Sequence, residues 1–138
     1  MPKTARFLIF LIVAASIYVT GVSNEVYILA SPQSLAFHTA LRKAESIVAF
    51  SVFAATLAWW LWPKPLHSTR NRRGLGFVLV VTTAAFSALI EVGQRVSGST
   101  ESYAESLFDV GCGALGGYIV ATLIALAERR RSRTDRTR

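Results

Sequence analysis

Glu91, Gln94 and Arg95 stand at i, i+3 and i+4, and Glu105 and Asp109 stand at i and i+4. On helices, each set shares one face. A carboxylate held out of water and near a cation has its protonation set by those two influences. It can then serve as a general acid or base, or bind a cationic ligand group, while the amide and guanidinium orient a polar ligand. Glu45 adds a fourth acid at the start of another apolar stretch. Other reactive chemistry is poorly represented: there is no Ser–His pair, metal-ligand cluster or phosphate-binding loop. The stretch 111–116 matches GxGxxG by letter, but it lies inside an apolar helical run with no strand before it, so it is not a dinucleotide fingerprint. Cys112 is the single cysteine and has no disulfide partner. His38 and His67 fall in loops on opposite sides of the arrangement derived below and cannot share a metal. No cofactor and no metal are expected, and the catalytic residues are left unassigned.

These residues need elements to hold them. The chain has 138 residues, 52% hydrophobic and 17% charged, against ~25% charged in globular chains. Its mean hydropathy is +0.42. A soluble domain of this size lacks its polar skin here, and the low charge excludes disorder. Four windows carry no Asp, Glu, Lys or Arg: 7–24, 46–63, 74–90 and 110–127. Lengths of ~17–25 mostly apolar residues cross a bilayer as helix. The apolar residues run together rather than alternate, which disfavours a barrel. The expectation is an all-α protein, a four-helix transmembrane bundle forming one domain, with spans at about 6–24, 45–63, 74–94 and 106–128. The first apolar run is too long for a signal-peptide core, and Thr20-Gly21-Val22 is a poor cleavage site, so an uncleaved span is expected.

Twelve of the 15 basic residues lie before span 1, between spans 2 and 3, or after span 4. By the positive-inside rule that side is cytoplasmic, which puts both termini there. Residues 129–138 form a basic cytoplasmic tail, expected to be disordered beyond the helix end. The pI of about 10.3 then reflects topology and contact with anionic lipids, not nucleic acid. Trp59, Trp60 and Trp62 fall where an inner aromatic belt would lie. Six of the eight acids fall on the outer side: Glu25, Glu45, Glu91, Glu101, Glu105 and Asp109. Glu25 and Glu101 read as solvated loop acids. The dipole at a helix N-terminus accounts for Glu105, and for Glu45 less well, but Glu91 closes span 3, where the dipole disfavours an anion. Glu91, Gln94, Arg95, Glu105 and Asp109 are expected to converge on one outward polar pocket, with Arg95 balancing part of its charge. Gly113, Gly116 and Gly117 form a close-packing face, expected against span 3. The long loop 23–43 contains Ser31-Pro32, a good helix start.

The segment Ile90-Glu91-Val92-Gly93-Gln94 resembles the IExxQ signature of VanZ-like membrane proteins. Residues 105–116 are similar in spacing to that family's D-x-x-x-N-x-x-G-A-x-x-G segment, with Glu105 in the Asp place and Asp109 in the Asn place. Arg42-Lys43-Ala44-Glu45-Ser46 resembles the family's DKxxH start of the second span, matching at Lys43 and carrying Ser46 where the family has His. The family's Arg after the Gln has no counterpart at 97–99; Arg95 stands nearest. The resemblance covers about residues 7–127. It implies a multi-pass protein of the bacterial cytoplasmic membrane in a cell-envelope or antibiotic-resistance setting, and adds Lys43 and Glu45 to the pocket candidates. It implies no defined activity. The function best matched is binding of a lipid headgroup, a cell-wall precursor or an amphiphilic antibiotic such as a glycopeptide. An intramembrane enzyme using Glu91, an accessory subunit of a larger membrane complex and a small proton-coupled carrier are the alternatives. Membrane lipids are the expected partners.

Overall fold

A computed structural model describes residues 1–23, 38–61, 69–98 and 102–134. Four helices account for nearly all of them: α1 (Lys3–Val22), α2 (His38–Leu61), α3 (Thr69–Val96) and α4 (Tyr103–Thr134). Each is long and apolar enough to cross a membrane, and the protein is a multi-pass membrane protein. The expected loop acids Glu25 and Glu101, the Ser31-Pro32 start, Trp62 and His67 lie outside the described residues.

The helices outrun the charge-free windows at several ends. His38 opens α2 instead of lying in a loop, which puts Glu45 two turns in rather than at the start. α4 continues through Thr134, so Arg129, Arg130, Arg131 and Arg133 stand on helix and not on a disordered tail. Hydropathy marks where lipid ends. Helix persists further because arginine is a good helix former and cations near a helix C-terminus favour the dipole. α3 stops at a glycine cap: Gly98 takes φ +92°, and its N–H donates to the Arg95 carbonyl at 3.1 Å. A left-handed residue there suits glycine and ends the helix.

Contacts between side chains give the topology. Gly113 meets Ser87, Gly117 meets Leu79, and Gly76 meets Ala121, so α3 and α4 are antiparallel. Lys43 pairs with Asp109 and Phe50 meets Gly116, so α2 runs parallel to α4. Phe7 meets Trp60 and Phe10 meets Phe53, so α1 is antiparallel to α2 and parallel to α3, where Gly21 meets Ile90. The α1 C-terminus, α2 N-terminus, α3 C-terminus and α4 N-terminus therefore share one end of the bundle. α1 packs on α2 and α3 but does not reach α4, and it has no buried residue. At the other end it lies on α2 through aromatic rings. Phe10 stacks on Trp60 at 5.5 Å between centroids, and Phe7 sits 4.8 Å from the same ring. Trp60 thus packs inward, whereas Trp59 is exposed with Arg6 over it at 5.9 Å.

The α3–α4 seam follows from residue size. On α3 the buried stripe is Leu75, Leu79, Thr83, Ser87, Ile90 and Glu91, one face of a helix. Opposite stand Asp109, Gly113 and Gly117, spaced by four. A Cβ on Gly117 would lie 2.7 Å from the Leu79 carbonyl oxygen, and one on Gly113 would lie 2.6 Å from the Ser87 Cβ. Glycine is what allows the backbones this close. Gly116 departs from the expectation: it faces α2, where a Cβ would meet Phe50 Cβ at 2.8 Å. It sits about 100° round the helix from Gly117, so the glycines serve two neighbours. The bundle's other surface is apolar, with Leu8, Ile12, Phe77, Leu107, Tyr118 and Leu123 among its exposed residues. An apolar exterior suits lipid as the surrounding solvent.

Candidate functional site

The seam changes character one turn beyond Gly113. Asp109 occupies the next position on the same α4 stripe, and Glu91 the next on the α3 stripe. Both residues are only 7% exposed. Their spacing from the packed residues aims them inward: Glu91 is four residues from Ser87, and Asp109 four from Gly113.

Next to them lies a cavity of about 170 Å³, roughly the volume of five or six waters. α3 contributes Ser87, Ile90, Glu91 and Gln94, and α4 contributes Asp109. α2 contributes Arg42, Glu45, Ser46, Ala49 and Phe50, and α1 contributes Ile17, Thr20 and Gly21. All four helices therefore meet around it.

Asp109 is held by several partners. Lys43 forms an ion pair and hydrogen bond with its Oδ1, while the Lys43 ammonium lies 5.2 Å from the centroid of the Phe108 ring. Ser87 Oγ donates to the Asp109 backbone carbonyl at 2.9 Å, tying α3 to α4 where the glycine contact ends. Gln94 Nε2 donates to the Gly21 carbonyl at 2.8 Å. That carbonyl accepts only, so the bond fixes the amide orientation, leaving Oε1 buried without a donor among the described residues. Ser46 Oγ donates to the Arg42 carbonyl at 3.0 Å.

The sequence-derived candidates thus separate. Glu91, Gln94, Asp109 and Glu45 line the cavity, and Lys43 is bound to Asp109. Arg95 and Glu105 do other work. The Arg95 guanidinium lies 4.0 Å over the Tyr103 ring and donates to Ser106 Oγ at 3.0 Å, clasping the end of α3 to the start of α4. The cation beside Asp109 is Lys43 instead, because Arg95 points round α3 toward the first turn of α4. Glu105 is exposed. Its Oε2 accepts from both the backbone N–H and the hydroxyl of Ser102 at 2.9 Å, and Ser102 Oγ accepts from the Glu105 N–H. This is a reciprocal capping box, and the signal S-x-x-E stands in the sequence at 102–105. Arg42, Ser87 and Thr20 are cavity residues that the sequence reading did not single out. Arg42 had a signal, since it lies three residues before Glu45 and shares its helix face.

Chemically, three carboxyl groups (Glu45, Glu91, Asp109) and two cations (Arg42, Lys43) gather at one end of the bundle. Glu91 and Asp109 are buried, and ionisable residues this deep in a membrane helix face the interior and pair; Glu45 lines the cavity from an exposed position. The set can hold a group bearing both charges, or a proton. The Ser46 and Ser87 hydroxyl protons are directed at backbone carbonyls, which leaves them poorly placed to act as nucleophiles. The described residues contain no group of three or more His, Cys, Asp or Glu able to hold a metal. Compared with protein families, curated proteins and solved structures, the chain matches no family model, no curated protein and no solved structure.

Proposed function

We propose that this chain is a VanZ-like protein of the bacterial cell envelope, seated in the cytoplasmic membrane with both termini in the cytoplasm. Its polar cavity opens to the outside and binds the headgroup of a lipid, a lipid-linked cell-wall precursor or an amphiphilic antibiotic. The reading rests on one observation: an apolar bundle carries Arg42, Glu45, Glu91, Gln94 and Asp109 around a cavity at a single end. That end is opposite the segments richest in arginine and lysine, which supports an outward orientation. Buried ionisable residues are costly in a membrane, and ligand binding is a reason to keep them. A ligand with a phosphate and an ammonium would find a guanidinium and carboxylates in one cavity.

The test is mass spectrometry of lipids retained by purified protein. Wild type should hold a defined lipid class that Glu91→Gln releases while remaining folded and inserted. Equal retention by the two proteins would overturn the reading. Orientation is checked by cysteine labelling of intact cells: Ser34→Cys should react from outside and Ser68→Cys should stay protected. In a deletion strain that is sensitive to glycopeptide or envelope stress, Glu91→Gln should fail to complement at normal membrane abundance.

A further inference from the structure

A second cavity, of about 320 Å³, lies at the other end of the bundle on the outer face of α3 and α4. Its floor is Gly76, Ala121 and Ala125; Tyr118 and Leu126 flank it, and Arg129 lies at its end. The volume falls within the ~300–1,000 Å³ of small-molecule sites. Thr122 also lines it, but its hydroxyl donates back to the Tyr118 carbonyl at 2.9 Å, which leaves the Tyr118 phenol and the Arg129 guanidinium as the polar side-chain groups of an otherwise apolar lining. Tyr118 is 61% and the adjacent Phe77 71% exposed, which places the groove on the lipid-facing surface.

We propose that this groove seats one anionic phospholipid of the leaflet at the basic end, with an acyl chain along the Gly76–Ala121–Ala125 floor and the phosphate on Arg129. Two observations point to that occupant. The first is length. From Tyr118 to Arg129 is eleven residues, about 16 Å of helix, and one leaflet takes half of a hydrocarbon core about 30 Å thick. A chain anchored at Arg129 therefore ends near Tyr118. The second is charge. Arg129, at the membrane-surface end, is the charged residue of a mostly apolar lining, and exposed Arg73, Arg130 and Arg133 stand at the same end of the bundle. Anionic headgroups are drawn to such clusters. A second copy of the chain fits worse. Tyr118 and Phe77 stand proud of the small residues and keep another helix from close approach, and Arg129 would bring like charge to the contact.

The experiment titrates purified protein with phosphatidylglycerol or phosphatidylcholine and counts bound lipids by native mass spectrometry. Wild type should favour phosphatidylglycerol, and Arg129→Gln should cut that preference about fivefold, the scale of one cation at an anionic surface. Arg130→Gln, on a different face, should change it far less. Ala125→Phe fills the groove and should lower retention of both lipids. Gly76→Val, whose Cβ would meet only Ala121 at 3.5 Å, is a milder plug should Ala125→Phe misfold. Equal losses from Arg129→Gln and Arg130→Gln would mean diffuse attraction and overturn the proposal. So would unchanged retention in a folded plug variant, or a wild-type dimer that the plug dissolves. The Glu91 cavity lies at the opposite end, so this result stands or falls separately from it.

Discussion

The α3–α4 seam is built twice on the same two stripes, and the halves differ in how they close. In the half toward the basic end, Gly117 and Gly113 face Leu79, Thr83 and Ser87, and the backbones touch. Thr83, fully buried, directs its hydroxyl to its own Leu79 carbonyl at 2.6 Å, so it needs no polar partner across the interface. In the other half the same spacing delivers Asp109 and Glu91. These side chains cannot lie backbone to backbone, and a cavity stands beside them. A shift of one helical turn thus exchanges a closed contact for a chargeable site. The closed half holds the helices at a fixed separation, and the polar half draws its geometry from that separation.

The sharpest way to break this comparison is to pry open the closed half. Gly117→Leu drives a side chain into the Leu79 carbonyl and Val80 Cα, backbone atoms that have little room to yield. Overpacking of this kind costs about 3 kcal/mol, and the melting temperature in detergent should fall well below wild type. Gly111→Leu is the matched control, because a Cβ there meets nothing within 4 Å, and it should melt as wild type does. Equal melting of Gly117→Leu and wild type would mean that the glycines do not set the helix separation.

The second test removes the cation from the polar half. Lys43→Met leaves the Asp109 carboxylate without its ion-pair partner in a nearly buried position. Breaking a buried pair costs about 3–5 kcal/mol. Lys43 keeps some exposure, and solvent screening brings the expected loss to about 2 kcal/mol. Adding Asp109→Asn should restore much of the stability, and a double-mutant cycle measures the coupling. Additive losses would show that Lys43 and Asp109 do not depend on each other.

How much of this was legible in the sequence differs between the halves. The four spans and the glycine contacts with α3 follow from hydropathy and residue size, which depend on local sequence. Burial of Glu91 follows the same way, since it sits four residues past a serine on the packed stripe. The identity of the partners does not. Whether Arg95 or Lys43 balances Asp109 depends on the rotation of α2 against α4, which is set by Phe50 meeting Gly116 in another part of the chain. Glu105 failed to join the cavity for a local reason, because Ser102 three residues earlier gives it a cap to complete. α4 is longer than its charge-free window because such windows report lipid contact, and a helix can run on through arginines.

Capping offers a third and smaller test. Ser102→Ala removes the acceptor for the Glu105 N–H and should cost about 1 kcal/mol. Glu105→Gln keeps an oxygen that can accept from Ser102 and should change stability less. Neither should alter lipid retention, in contrast to Glu91→Gln. Loss of the same lipid from Glu105→Gln as from Glu91→Gln would return Glu105 to the cavity and break the division between cap and site.

The smallest effect is expected at the boundary itself. Ser87 belongs to both halves: its Cβ abuts Gly113, and its hydroxyl reaches the Asp109 carbonyl. Ser87→Ala keeps the first contact and deletes the second. Hydrogen bonds between membrane helices average about 0.6 kcal/mol, so the melting temperature should fall only slightly, and less than in Lys43→Met. The Asp109 carbonyl can still accept from within its own helix, which limits the penalty of leaving it. Ser87→Val also lacks the hydroxyl and adds bulk against Gly113, so it should cost more than Ser87→Ala, with the difference measuring how tightly the closed half is packed at its edge. If Ser87→Ala instead destabilised as strongly as Lys43→Met, the polar half would be held by this hydrogen bond as much as by the ion pair. The boundary between the two halves would then lie a turn further toward Glu91.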